Sequence, residues 1–321
     1  MKNIQIALQQ DVEALALPQG RVTGSQGHAK ARDFLITRME ELGLRPYSGD
    51  DFELPYTAEG EDFVNVVGVL PGKDPALPPL LLAAHYDTCG PQPGADDNAA
   101  AMAILLACVE PLREAGIARS IVFAFFDAEE PPHYLSPSMG SVHFYHSQRV
   151  GPVHCAIVLD LVGHDVPIPG LEDLLFITGM ESDAGLETTL RSVQPPEGLR
   201  VIPTLNRYIG DLSDHHVFRM RRRPYLFLSC GHWPHYHQTT DTAERLNYGK
   251  MASIQGFVAD IAKDAAQRSL EGPFEGYDST PAEVFFLNSA AGPFLSSFGF
   301  EVNSREDIDM ISQLMIHQFG L

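Results

Sequence analysis

The sequence predicts a three-layer α/β fold, with a central, mostly parallel but mixed sheet between two helical layers. Two observations predict it. Short apolar runs recur along the chain: Leu80-Leu81-Leu82-Ala83-Ala84, SIVFAFF from Ser120 to Phe126, CAIVLDL from Cys155 to Leu161, and PYLFLS from Pro224 to Ser229. Each has the length of a buried strand. Helix-length segments separate them, and strands that alternate with helices form a largely parallel sheet covered on both faces. A third observation says where such a sheet would act. The runs end in His or in carboxylates, and ligands bind α/β sheets in the crevice beyond the strand carboxyl ends.

The elements follow in order. Asn3 to Leu17 has helical apolar spacing. Arg21 to Ser25 is a loop. His28 to Leu42 reads as an amphipathic helix with Ala31, Phe34, Leu35, Ile36, Met39 and Leu42 on one stripe, stopped by Gly43. Phe63 to Leu70 is strand-like and ends at Pro71-Gly72. After the run at Leu80 comes His85-Tyr86-Asp87, a Gly- and Pro-rich loop, and a helix from Asn98 to Leu112 that is apolar almost all round, hence buried. The run to Phe126 ends in Asp127-Ala128-Glu129-Glu130, and Pro131-Pro132 bars a helix there. Val142 to Arg149 is read as helix, Leu174 to Thr178 as strand, Ala184 to Ser192 and Tyr248 to Ala266 as helices. Ser213-Asp214-His215 looks like a helix start, where the Asp214 carboxylate would cap backbone N–H groups.

The chain of 321 residues is read as one catalytic domain, with a core at 21–268 and an extension at 271–321 packed on it. The boundary falls near Glu271-Gly272-Pro273. The extension should end in a helix from Ser304 to Phe319, with Ser304 and Asp307 spaced as a capping box and Ile308, Ile311, Met315 and Phe319 as its packing stripe.

Apolar residues make up 44% of the chain, enough for a sizeable core. The formal charge of −20, from 42 acidic and 22 basic residues, repels phosphate backbones and argues against a nucleic-acid partner. No apolar run approaches the roughly 18 residues of a membrane span, so no membrane partner is expected. The N-terminal segment lacks a signal h-region, which gives a cytoplasmic expectation, or an exported one if a leader has been trimmed. Cys89, Cys108, Cys155 and Cys230 form no C-x-x-C pair and read as free thiols of a reducing compartment.

The chemistry concentrates where strands end. His85, Glu129-Glu130, Asp160 and His237 come from four strand ends or the turns beyond them, and Asp97 from the helix after the first. Alone, each has an ordinary reading. Asp97 suits an N-cap, Glu129-Glu130 a solvated strand end, and His232, His235 and His237 a surface cluster. Asp160 is harder to dismiss, because a carboxylate inside VLDLV costs several kcal/mol unless paired or metal-bound. Zinc accepts His, Asp and Glu at about 2.0–2.2 Å. A two-metal site needs a bridging carboxylate and terminal ligands on ions roughly 3.5–4 Å apart. Two His and three carboxylates match that need and leave one of the paired Glu as a general base.

In order along the chain stand His85-Tyr86-Asp87, Gly94-Ala95-Asp96-Asp97-Asn98-Ala99, Glu129-Glu130, Asp160, Ser213-Asp214-His215, and His237 with Asp241-Thr242. This series resembles the co-catalytic zinc aminopeptidases, the group that contains the secreted bacterial leucyl aminopeptidases, from about Arg21 to Met251. The resemblance implies a zinc-dependent exopeptidase fold and two zinc ions. It implies His85 and Asp160 as terminal ligands on one ion, Glu130 and His237 on the other, and Asp97 as the bridge. Glu129 would be the general base and Tyr236 a donor to the oxyanion. Asp87 would orient His85, with Asp214 and Asp241 behind the ligands. The implied partner is a peptide with a free N-terminus.

The chain departs from that pattern in places. Ala128 stands where Gly is usual, PPHYLSPSMGS replaces a shorter loop, and Gln238 replaces Thr. FFDAEEPPHYLSPSMGS and VLDLVG also resemble the related glutaminyl cyclases, which use one zinc, although those place Trp where Tyr236 stands. A non-catalytic binding relative would have lost ligands or the base, and all are retained here.

Overall fold

The computed structural model describes residues 2–148, 151–272 and 277–319. Arg149, Pro273 and Leu321 lie outside them. The first half of the chain runs α1 (Lys2–Leu15), α2 (Gln26–Glu41), β1 (Arg45–Pro46), β2 (Glu53–Ala58), β3 (Glu61–Leu70), β4 (Leu80–His85), α3 (Ala100–Ala115), β5 (Ile121–Phe126) and α4 (Gly140–His146). The second half runs β6 (Cys155–Leu159), β7 (Leu174–Thr178), α5 (Ala184–Ser192), β8 (Arg200–Pro203), α6 (Asn206–Ile209), α7 (His215–Met220), β9 (Tyr225–Ser229), α8 (Tyr248–Ala265), α9 (Thr280–Ser297) and α10 (Arg305–Phe319). Among the described residues nine strands make one sheet, ordered β1–β3–β5–β4–β6–β9–β7–β8, with β2 also paired to β3.

The centre is parallel: β4 pairs β5 and β6, and β6 pairs β9. The flanks are antiparallel, β3 on β5 and β7 on β9, so the sheet is mixed as expected. Parallel register aligns the carboxyl ends. His85 lies opposite Phe126, so the residues after β5, β6 and β9 emerge on the side where β4 ends.

The central strands bury both faces, and period-2 alternation divides them between two cores. Leu80, Leu82 and Ala84 join the core under α1, α3 and α8, while Leu81 and Ala83 join the one under α4 and α7. That is why these strands read as unbroken apolar runs rather than alternating ones. Ser25 caps α2 by accepting from His28 N, and Gly43 follows it at φ +63°.

Strands β1, β2 and β8 and helices α6 and α9 carried no sequence expectation. Strand β2, ELPYTA, contains Pro55 and is half exposed, so its pattern is weak. It forms a hairpin with β3 through Glu59-Gly60, both at positive φ, which matches the right-handed strand twist. Strand β8 is only four residues long. Helix α9 contains Pro293 and breaks the helical pattern, yet it packs on β8 and covers that sheet edge. Helix α10 starts on a capping box with Asp in place of Glu: Asp307 N donates to Ser304 Oγ, and Ser304 N to Asp307 Oδ2. Ile308 and Ile311 are buried on its inner face.

Candidate metal centre

His85 is the last residue of β4, at the middle of the sheet. Asp97 reaches it from a turn that precedes α3. The expected helix start at Asn98 is shifted, because Asp97 (φ −111°, ψ 84°) and Asn98 are not helical and α3 begins at Ala100. The N-cap reading of Asp97 therefore fails; its carboxylate turns to the histidines instead. His85 Nε2 lies 3.2 Å from Asp97 Oδ1, 3.5 Å from Asp160 Oδ1 and 3.9 Å from Glu129 Oε2. His237 Nε2 lies 3.1 Å from Asp97 Oδ2 and 3.2 Å from Glu130 Oε2. One carboxylate thus presents each oxygen to a different histidine.

All four carboxylates and His85 are at most 6% exposed. Yet His85 Nε2, His237 Nε2, Glu129 Oε1, Glu130 Oε1 and Asp160 Oδ1 have no hydrogen-bond partner among the described residues. Buried ionisable atoms left so would cost several kcal/mol. Their ligating atoms cluster instead: His85, Asp97 and Asp160 lie within 4.8 Å of one another, as do Cys89, Glu130 and His237. A donor set of imidazole nitrogens and carboxylate oxygens aimed at shared points fits zinc. The electrostatics agree. Burial opposes protonation of His237, but the facing Asp97 and Glu130 carboxylates outweigh it and push the imidazole up to about 10. Burial, with Asp97 beside it, pushes Glu130 up to about 7. The geometry favours positive charge at these points.

A supporting layer holds the donors. Asp87 accepts backbone N–H bonds from Glu129 (3.2 Å) and Glu130 (3.0 Å), and its Oδ1 lies 3.4 Å from His85 Nδ1. Asp241 accepts from the backbone N of Asp96 (2.9 Å) and Asp97 (3.1 Å). Asp214 is fully buried before α7 but makes no helix cap, contrary to the sequence expectation. Burial, opposed by the charge of His85 and aided by Asp87 and Asp160, pushes it up to about 7. Tyr236 stacks on His237 with ring centroids 3.8 Å apart.

Two features escaped the sequence reading. Cys89 stands beside Glu130 and His237, and a lone Cys after the H-x-D turn gives no signal of that. Arg21 is 1% exposed and donates to the carbonyls of Tyr86, Leu15, Pro93, Gly94 and Asp97, so it pins both ends of the loop between β4 and α3. The departure at Ala128 also has an account. Its φ of +56° costs a non-glycine residue roughly 1–2 kcal/mol. Its buried methyl group packs with Tyr56 and Phe63 and returns about 0.8 kcal/mol, so Ala is tolerated where Gly is usual.

A mixed sheet with a buried imidazole–carboxylate centre at its strand ends defines a metallo-exopeptidase. The chain belongs to peptidase family M28, whose pattern it matches over residues 65–262. It is 27% identical over 233 residues to the uncharacterized protein YfbL of Escherichia coli K12, covering 63% of this chain and 70% of that one. Among solved structures, it is similar to the LapA aminopeptidase of Legionella pneumophila, with TM-score 0.66, 20% identity, and coverage of 83% of this chain and 73% of that one. It is also similar to a Zn-dependent exopeptidase from Parabacteroides distasonis, with TM-score 0.64, 18% identity and coverage of 81% and 97%. A glutaminyl cyclase from Tannerella forsythia has TM-score 0.63 at 20% identity, with coverage of 81% and 98%. Among the described residues no helix is long and apolar enough to cross a membrane.

Proposed function

We propose that the protein is an aminopeptidase that hydrolyses the N-terminal peptide bond of small peptides at a centre built for two zinc ions. The observation that carries this reading is the Asp97 carboxylate, with one oxygen toward His85 and the other toward His237. His85 and Asp160 would hold one ion, Glu130 and His237 the other, and Asp97 would bridge them. Zinc bound there supplies Lewis acidity toward the scissile carbonyl and lowers the pKa of a coordinated water.

The chain's own groups do the rest. Glu129 takes a proton from the attacking water as its oxygen bonds to the carbonyl carbon. It then passes that proton to the amide nitrogen as the C–N bond breaks. Burial pushes its carboxyl well above the usual range; His85 opposes this, and Glu130, Asp214 and Asp160 add to it. A base whose pKa is raised above the ordinary carboxylate range is suited to both transfers. The Tyr236 hydroxyl would donate to the developing oxyanion. The acidic surroundings favour a protonated α-amine, hence action at a free N-terminus. Asp87 and Asp241 keep the donors aimed through the backbone bonds described above.

Tyr236→Phe should lower kcat by about tenfold to a hundredfold while moving KM less than threefold, since the bond forms in the transition state. Steady-state kinetics on an aminoacyl anilide separates the two parameters, and a change confined to KM would remove Tyr236 from the oxyanion. Asp214→Asn should lower kcat/KM by about tenfold, since it removes a buried carboxylate whose charge acts on His85, and retain the zinc. Elemental analysis beside the kinetics checks this, and loss of an ion would make Asp214 a ligand. The reading as a whole is tested with paired peptides bearing free or acetylated N-termini. Cleavage of the free peptide alone supports it; equal cleavage contradicts it. Pyroglutamate release from an N-terminal Gln peptide without hydrolysis would favour cyclisation.

A further inference from the structure

One cavity opens directly from the centre and continues far past it. It holds about 320 Å³, begins at Asp97, Glu129, Asp160, Tyr236 and His237, and runs under α9 and α10. Its distal walls are apolar: Phe176 and Ile202 from the sheet, Leu287 and Ala291 from α9, Ile308 and Ile311 from α10. The one acidic group on that wall, Glu283, is buried; Arg305 and the Ser279 hydroxyl, at 3.0 Å, engage its Oε2, while Oε1 has no hydrogen-bond partner among the described residues. Both helices lie beyond residues 65–262, the part of the chain that matches the family, so this wall is a feature of the extension.

Size decides what such a space suits. A water-sized group occupies about 30 Å³, so 320 Å³ admits about ten non-hydrogen atoms. A leucine side chain has four. A pocket serving leucine alone would leave most of this volume empty and apolar.

We infer that α9 and α10 form the far wall of the substrate pocket. On that basis the protein selects amides whose residue before the scissile bond carries an apolar group of about eight to ten carbons. This rests on the hydrolase reading above and deepens it. The group is either a straight alkyl chain or a fused aromatic, which share the same apolar chemistry. Each methylene buried is worth about fourfold in kcat/KM at best.

The test uses the full chain loaded with zinc. Anilides of 2-amino acids with straight side chains of one to twelve carbons are compared with those of phenylalanine and tryptophan. kcat/KM should rise about twofold to fourfold per methylene up to eight to ten carbons and then fall. Rise along the straight chains identifies an alkyl ligand, and a maximum at tryptophan an aromatic one. Ala291→Leu should shorten the optimum by two to four carbons and cut the long-to-short ratio more than tenfold. Ile311→Ala should lengthen it, and unchanged melting curves confirm that both variants fold. Calorimetric titration with straight-chain alcohols reads the pocket without turnover. Chain-length-dependent binding that Ala291→Leu shortens, with every anilide inert, would leave the pocket standing and sink the hydrolase reading. A profile that peaks at leucine, or one that neither variant shifts, overturns the inference.

Discussion

Glu129→Gln should remove about 10²–10⁴-fold of turnover, the range for a lost general base, and leave the zinc content unchanged. The substitution keeps the shape of the side chain and its surroundings but cannot take a proton. The backbone N–H of Glu129 still donates to Asp87, so the turn after β5 keeps its course. The pH profile carries a second signature. In the parent enzyme the acid limb of kcat/KM should reflect Glu129, whose carboxyl is raised by burial; in the variant that limb should vanish with the activity. Loss of an ion on substitution would instead make Glu129 a ligand, since its carboxylate lies within 4.8 Å of donor atoms of His85 and Glu130.

Arg21→Met should be the most damaging change away from the metal donors. Methionine fills similar space but leaves five buried carbonyls, those of Tyr86, Leu15, Pro93, Gly94 and Asp97, without their donor. Each orphaned group costs about 1–3 kcal/mol, so a loss on the order of 5 kcal/mol is expected, against a total stability of about 5–15 kcal/mol. Burial lowers the guanidinium to about 10, held up by Asp97, Asp241, Asp87 and Glu130, so it stays charged at neutral pH and also offsets those carboxylates. Thermal unfolding should shift down by about 10–20 °C, with weaker zinc retention because the Asp97 turn is no longer pinned. A shift under about 3 °C would show that the loop holds itself.

The parallel centre of the sheet was legible because its strands are buried on both faces and so unbroken in hydropathy. His85, Glu129, Glu130 and Asp160 stood out because they fall at or just beyond the ends of those runs, and Asp97 and His237 because they fall in the segments that follow. Their convergence depends on the register that sets β4 beside β5 and β6, which no local pattern encodes. Strand β2 and helix α9 were hidden by Pro55 and Pro293, tolerated at an edge strand and in a covering helix. Arg21 was hidden for another reason. A buried arginine that serves only backbone carbonyls leaves no partner in the sequence to pair it with. The role of Asp214 as a cap was read from a helix start, and tertiary burial overrode that local preference.

The most direct test counts metal. Purified protein dialysed against zinc and analysed by inductively coupled plasma spectrometry should carry two ions per chain. His237→Ala should reduce that to one, and Asp97→Ala should weaken both. One ion in the parent protein, unchanged by His237→Ala, would contradict the two-ion centre and the aminopeptidase mechanism built on it.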